Sequence, residues 1–167
     1  MKKLNRRGYM TVEIIIASVI AFSIAFFLME ITMKLVDVTD NEYADTNFMT
    51  DKALVMNNIR KNLKKDIAEY EKIDSIKCKG NYCEIYFDRS GGPTEARRIV
   101  IDTKDSIIKY TDNLDNGTVI YSKTLDNGIK INSLTGGVSG SYIYFQIKCT
   151  NIFSDEDYNI NIVIYNG

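Results

Sequence analysis

Histidine and tryptophan are absent from these 167 residues, and Pro93 is the sole proline. Without histidine, the chain lacks the commonest general base and the commonest protein metal ligand. No Ser, Cys or Lys stands beside a base that the sequence makes evident, so the composition speaks against an enzyme. Cofactor motifs are missing too. The stretch Gly136-Gly137-Val138-Ser139-Gly140 lacks the Lys-Ser/Thr ending of a phosphate loop. The acidic segment Thr111 to Gly117 puts Leu114 and Lys123 where a calcium loop needs oxygen ligands, and Asp155-Glu156-Asp157 reads as a solvated turn. No catalytic residue, cofactor or metal is expected.

A basic surplus is also lacking. The net charge of -1 hides an asymmetry: Lys2, Lys3, Arg6 and Arg7 lie within the first seven residues, and the remaining 17 basic residues face 22 acidic ones. An acidic body lacks the footprint of a general nucleic-acid binder. Overall, 45% hydrophobic and 26% charged residues describe an ordinary folded chain, long enough for one domain.

What is present is sharply zoned. Residues 1–8 form a short basic leader. Residues 14–29, IIIASVIAFSIAFFLM, carry no charge, and with Tyr9 to Val12 they make an apolar segment interrupted by Glu13. As a helix, the segment spans roughly 30 Å at about 1.5 Å per residue, enough for a hydrocarbon core. The basic flank places the N-terminus in the cytoplasm and the chain after Glu30 outside. No small-residue cleavage site follows Met29, which argues against an ordinary secretory signal. An uncleaved single-span anchor fits the hydropathy equally well, and Gly8 and Glu13 must separate the two.

From Ile31 to about residue 72 the pattern is helical, with Val55, Ile59 and Leu63 on one stripe, extended by Met56, Ile67 and Tyr70. Lys61, Lys64 and Lys65 fall opposite, as a solvated face. Thr39 and Glu42 offer a capping box that would break and restart the helix. Beyond Ile73 the period changes to two. Eight β-rich runs are expected, around residues 76–78, 83–87, 98–102, 107–111, 119–122, 129–132, 142–149 and 158–165. They are punctuated by Gly80-Asn81, Gly91-Gly92-Pro93, Asn116-Gly117, Asn127-Gly128 and Gly136-Gly137. The expected fold is α+β: a long N-terminal helix, membrane-spanning in its first half, packed against a C-terminal antiparallel sheet.

The residues Arg6-Arg7-Gly8-Tyr9-Met10-Thr11-Val12-Glu13, followed by the apolar run, resemble the class III signal sequence of type IV prepilins and of the pseudopilins of secretion and competence systems. The succession of strands from Arg97 to Ile131 is similar to that of minor subunits of such systems. The resemblance implies a basic leader (1–8), a filament-core helix (9–30) and an extracytoplasmic pilin-like domain (31–167). It implies cleavage between Gly8 and Tyr9 by a prepilin peptidase, N-methylation of Tyr9, and a role for Glu13 in assembly register. It further implies partners among other pilin or pseudopilin subunits and an inner-membrane assembly platform, with DNA involved only indirectly, if the system serves competence. A membrane glutamate costs on the order of 2.5 to 3.5 kcal/mol on insertion scales, so Glu13 asks for a purpose.

The cysteines are Cys78, Cys83 and Cys149. A reversing Gly80-Asn81 connection would bring Cys78 opposite Cys83 at a spacing that a disulfide accepts, with Cys149 left free. The alternative is three small buried thiols.

Overall fold

The computed structural model describes residues 6–88, 95–112 and 117–166, with side chains from residue 11 onward. The chain divides into two units, Met1–Asp40 and Asn41–Gly167. Helix α1 (Arg6–Tyr70) contributes to both, and antiparallel strands complete the second. The architecture is α+β, as the change of period from 3.6 to 2 requires.

No Gly or Pro occurs between Tyr9 and Lys79, so nothing in the backbone interrupts α1. The expected restart at Thr39 does not occur. The Thr39 hydroxyl donates to the Leu35 carbonyl one turn back (2.7 Å), so it is not available to cap a new helix. The helix ends at Tyr70 because Glu71 takes the left-handed conformation (φ 74°), which turns the chain into the first strand.

Within the second unit, α1 buries Ala44, Phe48, Val55, Ile59 and Leu63. Spacings of four and seven keep them on one face. Two carboxylates, Asp51 and Asp66, fall on the same stripe and are also buried. Each meets a cation from the sheet side: Asp51 lies 2.6 Å from Lys123 and Asp66 lies 3.2 Å from Arg97.

The strands are β1 (Lys72–Lys79), β2 (Tyr82–Asp88), β3 (Glu95–Asp102), β4 (Ile107–Thr111), β5 (Val119–Thr124), β6 (Ile129–Ser139), β7 (Tyr142–Asn151) and β8 (Glu156–Tyr165). They form two sheets rather than the single expected one, in orders β1-β2-β3-β4-β5 and β6-β7-β8. Each sheet is an antiparallel meander with alternate residues turned inward. In β8, Ile160, Ile162 and Ile164 are buried while Asn159, Asn161 and Val163 are exposed. The inward residues of both sheets and the stripe of α1 form one core. Asn166 stitches the sheets together: its side-chain amide donates to the Ile73 carbonyl and accepts from the Ile73 amide, both at 2.8 Å.

Gly136-Gly137 is not a turn. Both residues lie inside β6, opposite Phe145 and Tyr144. A Cβ on Gly136 would come 2.5 Å from the Phe145 ring, so the glycine makes room for an aromatic side chain that lies across the strand. The reversal comes later, at Gly140-Ser141, where Gly140 has a φ of 58° and Ser139 pairs with Tyr142. Gly91, Gly92, Pro93 and Asn116 fall outside the described residues.

Candidate membrane and assembly segment

In the first unit, the apolar side chains from Val12 to Met29 point outward all round the helix. Ile14, Phe22 and Phe26 are 64%, 70% and 75% exposed, and nothing in the unit covers them. A helix that is apolar on every side needs an apolar medium or apolar neighbours. Among the described residues, it is the one helix long and apolar enough to cross a membrane, by length and composition.

The hydroxyls in this segment look after themselves. Ser18 donates to Ile15 O (2.8 Å), Ser23 to Val19 O (2.9 Å) and Thr32 to Leu28 O (2.8 Å). Each is satisfied within its own helix, which removes the cost of placing it in lipid. Just past the C-terminal end of the apolar stretch, Glu30 and Lys34 form an exposed i,i+4 ion pair at 2.8 Å. Glu13 is the exception. Its side chain is exposed on the apolar helix, and among the described residues no hydrogen-bond or ion-pair partner meets its carboxylate. Gly8 and Tyr9 belong to the helical backbone of α1, while the Tyr9 side chain and the residues before Arg6 lie outside what is described.

In the second unit, Cys78 and Cys83 are joined by a disulfide, with Cα atoms 4.0 Å apart. They are the second cross-strand pair of the β1–β2 hairpin, one step in from Lys79 and Tyr82. Gly80, with a φ of 55°, supplies the positive dihedral that a two-residue turn needs. Cys149 is free and buried beside Ile147, and burial pushes its thiol up to about 12. Such a thiol stays protonated and unreactive. Among the described residues, no group of three or more His, Cys, Asp or Glu side chains is placed to hold a metal ion.

Sequence reasoning missed the polar clamps that seat α1. Arg97 donates to Asp66 and to the Tyr70 hydroxyl (3.1 Å), and Tyr110 donates to Asp66 (2.5 Å). Near the start of the unit, the buried Asn151 amide donates to Asn41 (2.7 Å) and Asp45 (2.8 Å), and Tyr158 donates to Asp45 (2.5 Å). That last bond holds the Tyr158 phenol up at about 12. The available signal was the position of Asp66, three residues after Leu63 on the apolar stripe.

Comparison of the chain with protein-family models, curated proteins and solved structures finds no match.

Proposed function

We propose that this chain is a prepilin, the precursor of a structural subunit of a type IV pilus, a competence pseudopilus or a secretion pseudopilus. A prepilin peptidase cuts between Gly8 and Tyr9, Tyr9 is methylated, and the subunit assembles through its N-terminal helix as a minor component. Before assembly it is a single-pass membrane protein with a cytoplasmic N-terminus and an extracytoplasmic body. The observation that carries this reading is Glu13: a lone carboxylate in the otherwise uncharged apolar stretch 9–29, four residues beyond Tyr9 and behind a basic leader.

The chemistry follows from that placement. Cleavage after Gly8 exposes an α-amine at Tyr9. In a bundle of apolar helices, that amine and a Glu13 carboxylate, from the same or a neighbouring subunit, can neutralise each other. Two opposite charges buried together are far less costly than either alone, so the pair favours one axial register of helix against helix. Packing of the apolar side chains supplies the remaining cohesion.

The test is Glu13→Ala, co-expressed with partner subunits. Removing the acid lowers the cost of insertion, so a defect at the membrane step is not expected. The variant should insert and fold, and should co-purify poorly with its partners. Co-purification at the wild-type level contradicts the assembly role and leaves an uncleaved, membrane-anchored binding module as the reading.

A further inference from the structure

The face of the β6-β7-β8 sheet turned away from the core has a composition unlike the rest of the globular unit. Ile131 to Ile147 and Tyr158 to Gly167 contain no charged residue, in a chain that is 26% charged. Cross-strand register sorts the outward side chains into rows. Tyr142 lies beside Tyr165, Tyr144 beside Val163, and Gln146 beside Asn161.

The first two rows are apolar and open. Tyr142, Tyr144, Val163 and Tyr165 are 54%, 44%, 50% and 60% exposed. Tyr142 and Tyr165 meet edge to face, with centroids 5.7 Å apart. Tyr144 is different: a Cβ on Gly137 would stand 2.9 Å from its hydroxyl and 3.1 Å from Cζ, so its ring lies across the bare Gly137 backbone. A ring laid along a sheet presents its face to solvent.

The third row is polar and neutral. Gln146 Nε2 donates to Asn161 Oδ1 at 3.1 Å. This orients both amides and leaves Gln146 Oε1 as an acceptor and Asn161 Nδ2 as a donor, neither with a partner among the described residues. Tyr144, Thr135, Gln146, Asn161 and Val163 line an open depression of about 400 Å³.

We infer that this face binds a neutral polysaccharide. A pyranose ring carries an apolar C–H face and a rim of hydroxyls, which match a flat aromatic ring beside an oriented donor and acceptor pair. The missing charge argues against the alternatives. Nucleic acid and anionic glycans need cations, and Tyr142, Tyr144, Gln146, Asn161, Val163 and Tyr165 include none; on β7 the next outward residue, Lys148, follows one row beyond the amides. The inference concerns the outer face of one sheet and does not depend on how the N-terminal helix assembles.

The test uses the full-length chain in a detergent without sugar headgroups, mixed with insoluble chitin and with cellulose. Retention on either is expected, with little dependence on salt. Tyr144→Ala should weaken retention about tenfold, the effect of losing one stacked ring, while Tyr144→Phe and Lys148→Glu should retain it. Asn161→Ala, at an exposed position, should also weaken it and guards against a Tyr144 variant that misfolds. Failure to bind both polysaccharides overturns the inference, as does salt-released binding or retention at the wild-type level by both Tyr144→Ala and Asn161→Ala. Concentration-dependent self-association that Tyr144→Ala abolishes, without polysaccharide binding, would assign the face to a second copy and overturn it as well.

Discussion

Asp66 and Arg97 form an ion pair at 3.2 Å in which both side chains are more than nine-tenths buried. The pair joins α1 to β3, and Tyr70 and Tyr110 complete its hydrogen bonding. Arg97 also donates to the carbonyls of Asp112 (2.8 Å) and Ala96 (3.3 Å). A buried pair is tolerated when its remaining donors and acceptors are met, and here they are met from the helix and from two strands.

Asp66→Asn should therefore destabilise the globular unit by about 3–5 kcal/mol, because it strands the Arg97 charge in the core. Replacing both partners, as Asp66→Leu with Arg97→Met, should cost less than the single change. Urea denaturation followed by circular dichroism checks both. A single variant as stable as the wild type would mean that the pair contributes little.

The same network makes the fold sensitive to alkali. Burial, with the Asp66 charge next in weight, raises the Tyr110 phenol far above its ordinary value. The folded state then holds a proton that the unfolded chain releases near pH 10. Stability from this group is fully present below that value and falls as pH rises beyond it. Denaturation midpoints at pH 8 and pH 11 should show the loss, and Tyr110→Phe should show a smaller one. Equal pH dependence in the two chains would remove Tyr110 as the cause.

Much of this fold was legible in the sequence, for reasons that particular residues show. The eight strands follow from alternation between turn residues, and Ile160, Ile162 and Ile164 face inward as their spacing demands. Gly136-Gly137 misled because paired glycines usually break a strand, whereas these lie under the Phe145 and Tyr144 rings. The division into two sheets depends on whether β5 pairs with β6, and nothing in Leu125-Asp126-Asn127-Gly128 announces it. Asp66 was hidden because a carboxylate on an apolar stripe gives no sign of its partner, 31 residues away. The long apolar segment and Glu13 were the easiest to see, since a long uncharged run and a lone acid within it are properties of the sequence itself.

The disulfide closes a small loop, so it should contribute only about 2 kcal/mol in the chain-entropy model. Cys78→Ser with Cys83→Ser should lower the denaturation midpoint modestly and leave the fold intact. Cys149 should resist alkylation in the native protein and react once it is denatured, because burial disfavours its thiolate. Thiol titration without reductant should find one free group. Three would show that the bridge does not form in solution, and a free group mapped to Cys78 or Cys83 would show that the cysteines pair differently.

The N-terminal residue of the mature chain tests the central claim most directly. Intact-mass and peptide analysis, after co-expression with a prepilin peptidase, should find a chain that begins at Tyr9 with a methylated α-amine, and no trace of Lys2 to Arg7. The product should remain in the membrane, since cleavage falls before the apolar helix. A chain that keeps its first eight residues, or one cut beyond Glu30, would contradict the account.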